Sequence, residues 1–178
     1  VKMVIWLVGL SGAGKTTIGK TLYKSMKSKH RHTVLIDGDE IREMFRHDQH
    51  ADAYSLNGRR INAERIQAMC AWLESQDIDI VCCILSVFEE ISQQNRKQFK
   101  QYFEVFVDTP LPVLIEQDGK GLYQAALSGK TKNVVGIDLD YAAPNSPNLV
   151  IKNTMKEKDL KNYVSTILKG LRDVHGYY

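Results

Sequence analysis

Met3-Val4-Ile5-Trp6-Leu7-Val8, followed by Gly9-Leu10-Ser11-Gly12-Ala13-Gly14-Lys15-Thr16-Thr17, decides the fold of this chain. Six apolar residues in a row read as a strand buried on both faces. The pattern Gly9-x4-Gly14-Lys15-Thr16 then leaves the strand and opens a helix, which is the context a phosphate-binding loop requires. Its glycines let the backbone fold into a nest of N–H groups aimed at phosphate oxygens. The helix N-terminus adds the positive end of its dipole. Gly9, Ser11, Gly12, Ala13, Gly14, Lys15, Thr16 and Thr17 are therefore the expected nucleotide-binding residues. Lys15 is suited to the β- and γ-phosphates of ATP as a point charge, and Thr16 offers a hydroxyl to Mg²⁺. A glycine-rich turn without a ligand is the alternative, and the strand-and-helix context argues against it.

Outward from the loop, short β-rich runs alternate with helical stretches. Strands are expected at Thr33–Asp37, Ile78–Leu85, Phe103–Asp108 and Leu149–Lys152. Helices are expected to about Lys29, from Asp39 to about Arg46, over Gly58–Ser75, over Glu89–Gln101, after Pro110, and over Lys156–Leu171. Such alternation implies an α/β fold: a parallel P-loop NTPase-type sheet with helices on both faces. One domain over residues 1–178 is expected. The stretch Asp118–Pro147, rich in Gly, Lys and Asn, reads as a mobile lid of about 118–147.

The 178 residues suffice for a full hydrophobic core, and 43% hydrophobic with 25% charged residues is ordinary for a globular protein. A net charge of +3 suits an anionic small ligand and is too weak to argue for nucleic acid. No apolar run is long enough for a membrane span, and the opening apolar stretch is too short for a signal peptide. A cytoplasmic protein is expected. Cys70, Cys82 and Cys83 lack metal-ligand spacing and read as buried free thiols. Lys20–Lys29 reads as a solvated helix face rather than a binding patch.

Asp37-Gly38-Asp39 falls at the end of the second strand. Ligands of open parallel sheets bind off the carboxyl ends of strands, so Asp37 and Asp39 are expected beside the phosphate loop. One is suited to Mg²⁺ or its water, together with Thr16, and the other to accepting a hydroxyl proton. A turn with an N-capping Asp39 is the plainer reading, and both can hold. Arg42, one helical turn on, can reach an anionic acceptor.

These segments together resemble the adenylylsulfate (APS) kinase family. The stretches that carry the resemblance are Gly9–Thr17, Leu35–Arg42, Tyr102–Leu111, Lys120–Tyr123, Lys132–Asp138 and Pro147–Asn153, in order along nearly the whole chain. The resemblance implies transfer of the γ-phosphate of ATP, with Mg²⁺, to a ribose 3′-hydroxyl, and homodimers are common in that family. It implies acceptor contacts for Arg42, Tyr54, Arg59, Asn62, Ile84, Lys120, Lys132 and Val134, with Lys130 adding positive charge to the lid. Lys15, Asp37, Asp39 and Ser86 are the implied catalytic positions. Ser86 matches a serine labelled as a phosphoserine intermediate, but in-line transfer needs no covalent step, so it reads better as a strand-end hydroxyl near the acceptor.

The departures from the pattern matter as much. Gly58 stands where the family has Asp, Val87 where it has Pro, Gln117 where it has a lid Arg, and Val134 where it has Phe, and the loop before Tyr54 is a few residues longer. One aromatic wall of the base pocket, worth about 1–3 kcal/mol by stacking, is thereby missing. Ile84–Phe88 and Lys132–Gly136 also resemble the cytidine diphosphoramidate kinases of bacterial capsule synthesis. That branch implies the same 3′-phosphorylation of a smaller pyrimidine nucleotide. Adenylyl sulfate is slightly preferred from the breadth of the main family. A non-catalytic ATP-binding scaffold, or a nucleoside monophosphate or shikimate-type kinase, is a weaker alternative.

Overall fold

The computed structural model describes residues 2–30 and 32–176. Its strands are β1 (Val4–Val8), β2 (Thr33–Asp37), β3 (Asp79–Ile84), β4 (Tyr102–Asp108) and β5 (Leu149–Lys152), all parallel, in the order β2-β3-β1-β4-β5. The helices are α1 (Lys15–Lys29), α2 (Gly38–Met44), α3 (Leu56–Ser75), α4 (Glu89–Gln98), α5 (Leu111–Gln117), α6 (Leu122–Leu127) and α7 (Leu160–His175). The phosphate loop leaves β1, the central strand. The segments leaving β2, β3, β4 and β5 come to the same edge of the sheet.

The uniform apolarity of β1 follows from its position. Met3, Ile5 and Leu7 face α1 and α7, while Val4, Trp6 and Val8 face α2, α3 and α4. Period-two alternation sends neighbours to opposite cores, and a covered parallel sheet leaves no polar face. Cys82 and Cys83 follow the same rule and point to opposite cores, and Cys70, Cys82 and Cys83 are free and buried. Glu104 interrupts the pattern on β4. It is wholly buried, but its carboxylate accepts from Arg96 at 3.1 Å and from the Tyr102 hydroxyl at 2.7 Å, as a buried charge requires.

The 118–147 segment contains more structure than its composition suggests. Helix α6 forms inside it because the Asp118 carboxylate accepts from the N–H groups of Tyr123 (3.2 Å) and Gln124 (2.8 Å). This satisfies two of the orphan donors of a helix start. A third apolar cluster, of Leu10, Leu114, Tyr123, Val134 and Val135, packs the segment against the phosphate loop and α5. Helix α2 starts one residue earlier than the sequence implies, so its N-cap is Asp37, whose Oδ1 accepts from the Asp39 N–H at 3.0 Å.

Gly58 has a steric reason. A Cβ there would run into the backbone carbonyls of Asp52 and Ala53, which the longer loop before Tyr54 lays against the start of α3. Replacing Gly58 by Asp, the residue of the resembled pattern, is expected to destabilise the fold by about 1–3 kcal/mol through overpacking. A urea titration of G58D with an unchanged midpoint would show that the loop simply moves aside.

Candidate active site

A cavity of about 770 Å³ runs along the carboxyl edge of the sheet. It brings together Ser11, Gly12, Gly14, Lys15, Thr16 and Thr17 from the phosphate loop with Asp37 and Asp39. Arg42, Tyr54, Arg59, Asn62, Ile84, Lys120, Lys132 and Val134 line it as well. Gly9 and Ala13 lie outside the lining. Ala13 is fully buried, and a Cβ on Gly9 would sit 2.5 Å from the Val107 carbonyl, so both shape the loop from behind. Ser86 is also outside the lining. Its hydroxyl accepts from the Phe88 N–H at 3.5 Å at the start of α4, so the strand-end hydroxyl is turned to local structure. Lys130 is exposed and not part of the lining.

The phosphate loop is held open from outside. Gly14, at φ 99°, adopts a left-handed conformation that glycine alone takes cheaply. The Asn153 amide sits where a Cβ on Gly14 would go, and donates to the Ala13 carbonyl at 2.7 Å. Lys15 Nζ donates to the Leu10 carbonyl at 2.7 Å, folded back across the loop. Lys15 keeps partial exposure as a residue. Burial pulls its pKa down to about 8, against smaller raising effects of Cys83, Asp39 and Asp37.

The two aspartates have different surroundings. Asp37 is buried, and both its oxygens are engaged, Oδ1 by the Asp39 N–H and Oδ2 by the Thr16 hydroxyl at 2.7 Å. Asp39 keeps an exposed carboxylate (64%), paired with Arg42 Nη1 at 2.9 Å and facing Lys120 Nζ at 4.0 Å. Among the described residues no group of three or more His, Cys, Asp or Glu side chains is placed to hold a metal alone. Mg²⁺ does not need one, since it retains water and is held by one or two protein oxygens plus substrate phosphates. The adjacent Thr16 and Asp37 oxygens at the loop fit that demand.

The opposite wall is cationic and aromatic. The Arg42 guanidinium lies 4.6 Å from the Tyr54 ring centre and that of Arg59 5.7 Å, a cation–π stack at the cavity mouth. Arg59 also donates to the Asn133 carbonyl at 2.8 Å, pinning the 132–138 strap over the pocket. The strap is fixed further by Asp138, which accepts from the N–H groups of Asn133 and Val134 at 2.7 Å each. Those N–H groups hold its carboxyl below the usual range. Asn62 donates to the Gly38 carbonyl at 3.0 Å, so it braces the Asp37–Asp39 turn, while its Oδ1 is buried without a protein partner. Arg42 Nε is buried and unpartnered in the same way. Val134 is buried and presents a small aliphatic surface.

Sequence reasoning missed Met155 and Cys83 in the lining, and it missed Thr109 and Asn153 behind the loop. Asn153 lies in a stretch that carries the resemblance, directly after the last strand, and that position was the available signal. A smaller recess of about 260 Å³ adjoins the loop on the far side of Gly12, between Gln117, Asp118 and Met155.

A phosphate loop, a carboxylate pair and a cationic wall in one cavity define a P-loop kinase. The adenylylsulphate kinase family description matches residues 1–152. The cytidine diphosphoramidate kinase of Campylobacter jejuni is 39% identical over 168 residues, 94% of this chain and 95% of that protein. The adenylyl-sulfate kinase of Pseudomonas aeruginosa strain PAO1 is 37% identical over 159 residues, 88% of this chain and 80% of that protein. An APS kinase of Mycobacterium tuberculosis, solved with AMPPNP and APS, superposes with a TM-score of 0.85 at 26% identity, covering 96% of this chain and 98% of that one. The chain belongs to the adenylylsulphate kinase family and is a phosphotransferase with an alcohol group as acceptor.

The Lys15 environment sets a pH dependence. Burial disfavours the charged lysine, so its folded pKa lies below its unfolded one, and the stability cost of burying it fades as pH rises through about 8 towards 10.5. Bound phosphates favour the charged form. ATP binding is therefore expected to take up a proton above pH about 8 and to weaken as pH rises further. Calorimetry at pH 9 in two buffers of different ionisation enthalpy reads this directly, and equal apparent enthalpies would contradict it.

Proposed function

We propose that the chain transfers the γ-phosphate of ATP to the ribose 3′-hydroxyl of a small nucleotide. The observation that carries this reading is one cavity with the phosphate loop on one wall, Arg42, Arg59 and Tyr54 on the other, and the Asp39 carboxylate between them. The loop N–H groups and Lys15 hold the donor phosphates, and the recess beside Met155 suits the donor base. Thr16 and Asp37 would hold Mg²⁺, which when bound neutralises charge on the phosphates. Asp37 is buried with both oxygens hydrogen-bonded at the loop, whereas Asp39 keeps an exposed carboxylate, held by Arg42 and facing Lys120, that can orient the acceptor hydroxyl and take its proton. Arg42 and Arg59 clamp the acceptor's anionic groups. Lys120, three residues beyond Gln117, supplies lid charge where the family arginine is missing. The 118–138 segment covers the site and excludes water, which limits wasteful hydrolysis.

The base wall favours a cytidine nucleotide such as cytidine diphosphoramidate. Val134 offers an aliphatic face in place of an aromatic one, and the similarity to the Campylobacter enzyme spans nearly both chains. Adenylyl sulfate is the second reading, favoured by Tyr54 at the cavity mouth and by the superposition with the APS-bound enzyme. Dependence on ATP supports a cytoplasmic place of action.

Offering ATP with each acceptor and comparing kcat/KM separates these readings. Turnover of the cytidine compound at least about tenfold above that of adenylyl sulfate is expected from the loss of one stacking wall. The reverse ranking would establish the second reading. Lys15→Ala is expected to lower turnover about 100-fold or more, and near-normal activity would sink the scheme. Asp39→Asn should lower kcat with little change in ATP affinity, and an equal loss in both would count against its role.

A further inference from the structure

A loop that turns its N–H groups inward must turn carbonyls outward, and each of those needs a donor. Leu10 O is met by Lys15 from within the loop. Ala13 O is met by Thr109 Oγ1 at 3.0 Å and Asn153 Nδ2 at 2.7 Å, from the segments that follow β4 and β5. Ser11 O is met by the Tyr123 hydroxyl at 2.6 Å, and this donor alone of the four comes from the lid.

Tyr123 is 2% exposed, and its ring packs in the third apolar cluster with Leu10 and with Val134 of the acceptor wall. Its oxygen thus holds the donor loop while its ring belongs to the core under the acceptor pocket. Burial, with Asp118 nearby, pushes the phenol up to about 12, so it stays a proton donor across the working range. The side chain is outside the lining of the main cavity and borders the smaller recess beside Met155, whose shape Phe at this position would keep.

We propose that Tyr123 is a positioning residue that ties the outward face of the phosphate loop to helix α6, so that the loop binds donor phosphates at full strength only with the lid helix seated against it. The Ser11 carbonyl is kept pointing away from the cavity, which leaves the N–H groups of the nest facing in. The tie rests on reading the loop as the ATP site and is independent of which acceptor is used.

Tyr123→Phe keeps the ring and removes only the donor. Binding of a non-hydrolysable ATP analogue with Mg²⁺, measured by calorimetry, is expected to weaken about three- to tenfold, the effect of losing one neutral hydrogen bond. Thermal midpoint should fall by about 2–12 °C, the cost of the bared Ser11 carbonyl, so the comparison with a second destabilised variant carries the test. Hydrogen exchange should quicken at the amides of residues 11–15 and not in α7. The control Ile115→Ala trims the same cluster without touching the hydroxyl, and should lower stability while leaving analogue affinity within about twofold. Unchanged affinity in Tyr123→Phe overturns the tie, as does an equal affinity loss in Ile115→Ala. A wild-type chain that binds no analogue would instead refute the kinase reading itself.

Discussion

The phosphate loop imposes a demand that much of the molecule meets. Concentrating N–H groups on one point leaves the opposite carbonyls bare, and a buried bare carbonyl costs about 1–3 kcal/mol. The fold answers with donors from distant segments: Thr109 after β4, Asn153 after β5 and Tyr123 on α6, besides Lys15 itself. The central place of β1 makes this possible, because the segments leaving β4 and β5 reach the back of the loop. The same placement leaves the front of the loop open towards the segments leaving β2 and β3, where Asp37, Asp39 and Ile84 stand.

Division of labour between the two carboxylates follows from packing. Asp37 caps α2 and takes the Thr16 hydroxyl, so it ties the second strand's exit to the first helix. Asp39, two residues further on, is left with an exposed carboxylate among Arg42 and Lys120. Asn62 and Arg42 each keep a buried polar atom unpartnered beside them. Such atoms are expensive in a folded protein and are understandable where a ligand completes them.

The departures from the family pattern are of two kinds. Gly58 is a packing consequence of the longer loop before Tyr54, whose backbone occupies the space a side chain would need. Val134 and Gln117 alter the cavity or its rim. Val134 puts an aliphatic side chain in the main cavity, and Gln117 an uncharged one in the smaller recess, while Lys120 approaches Asp39. Only the second kind reaches the cavities.

Strand exits, the parallel sheet and the phosphate loop were legible from residue order because period-two burial and glycine spacing are local properties. So was the coming together of Lys15, Thr16, Asp37, Asp39 and Arg42, since motifs at strand ends share one edge of a parallel sheet. The Val4–Val8 run and the Gly9–Thr16 motif determined that much by themselves. Tertiary structure alone decided what lies behind the loop and how the hydroxyls and amides are spent. Nothing local in Tyr123 or Asn153 announces a carbonyl 112 or 140 residues away. Hydrogen-bond direction depends on where the chain returns in space, and the sheet order sets that return.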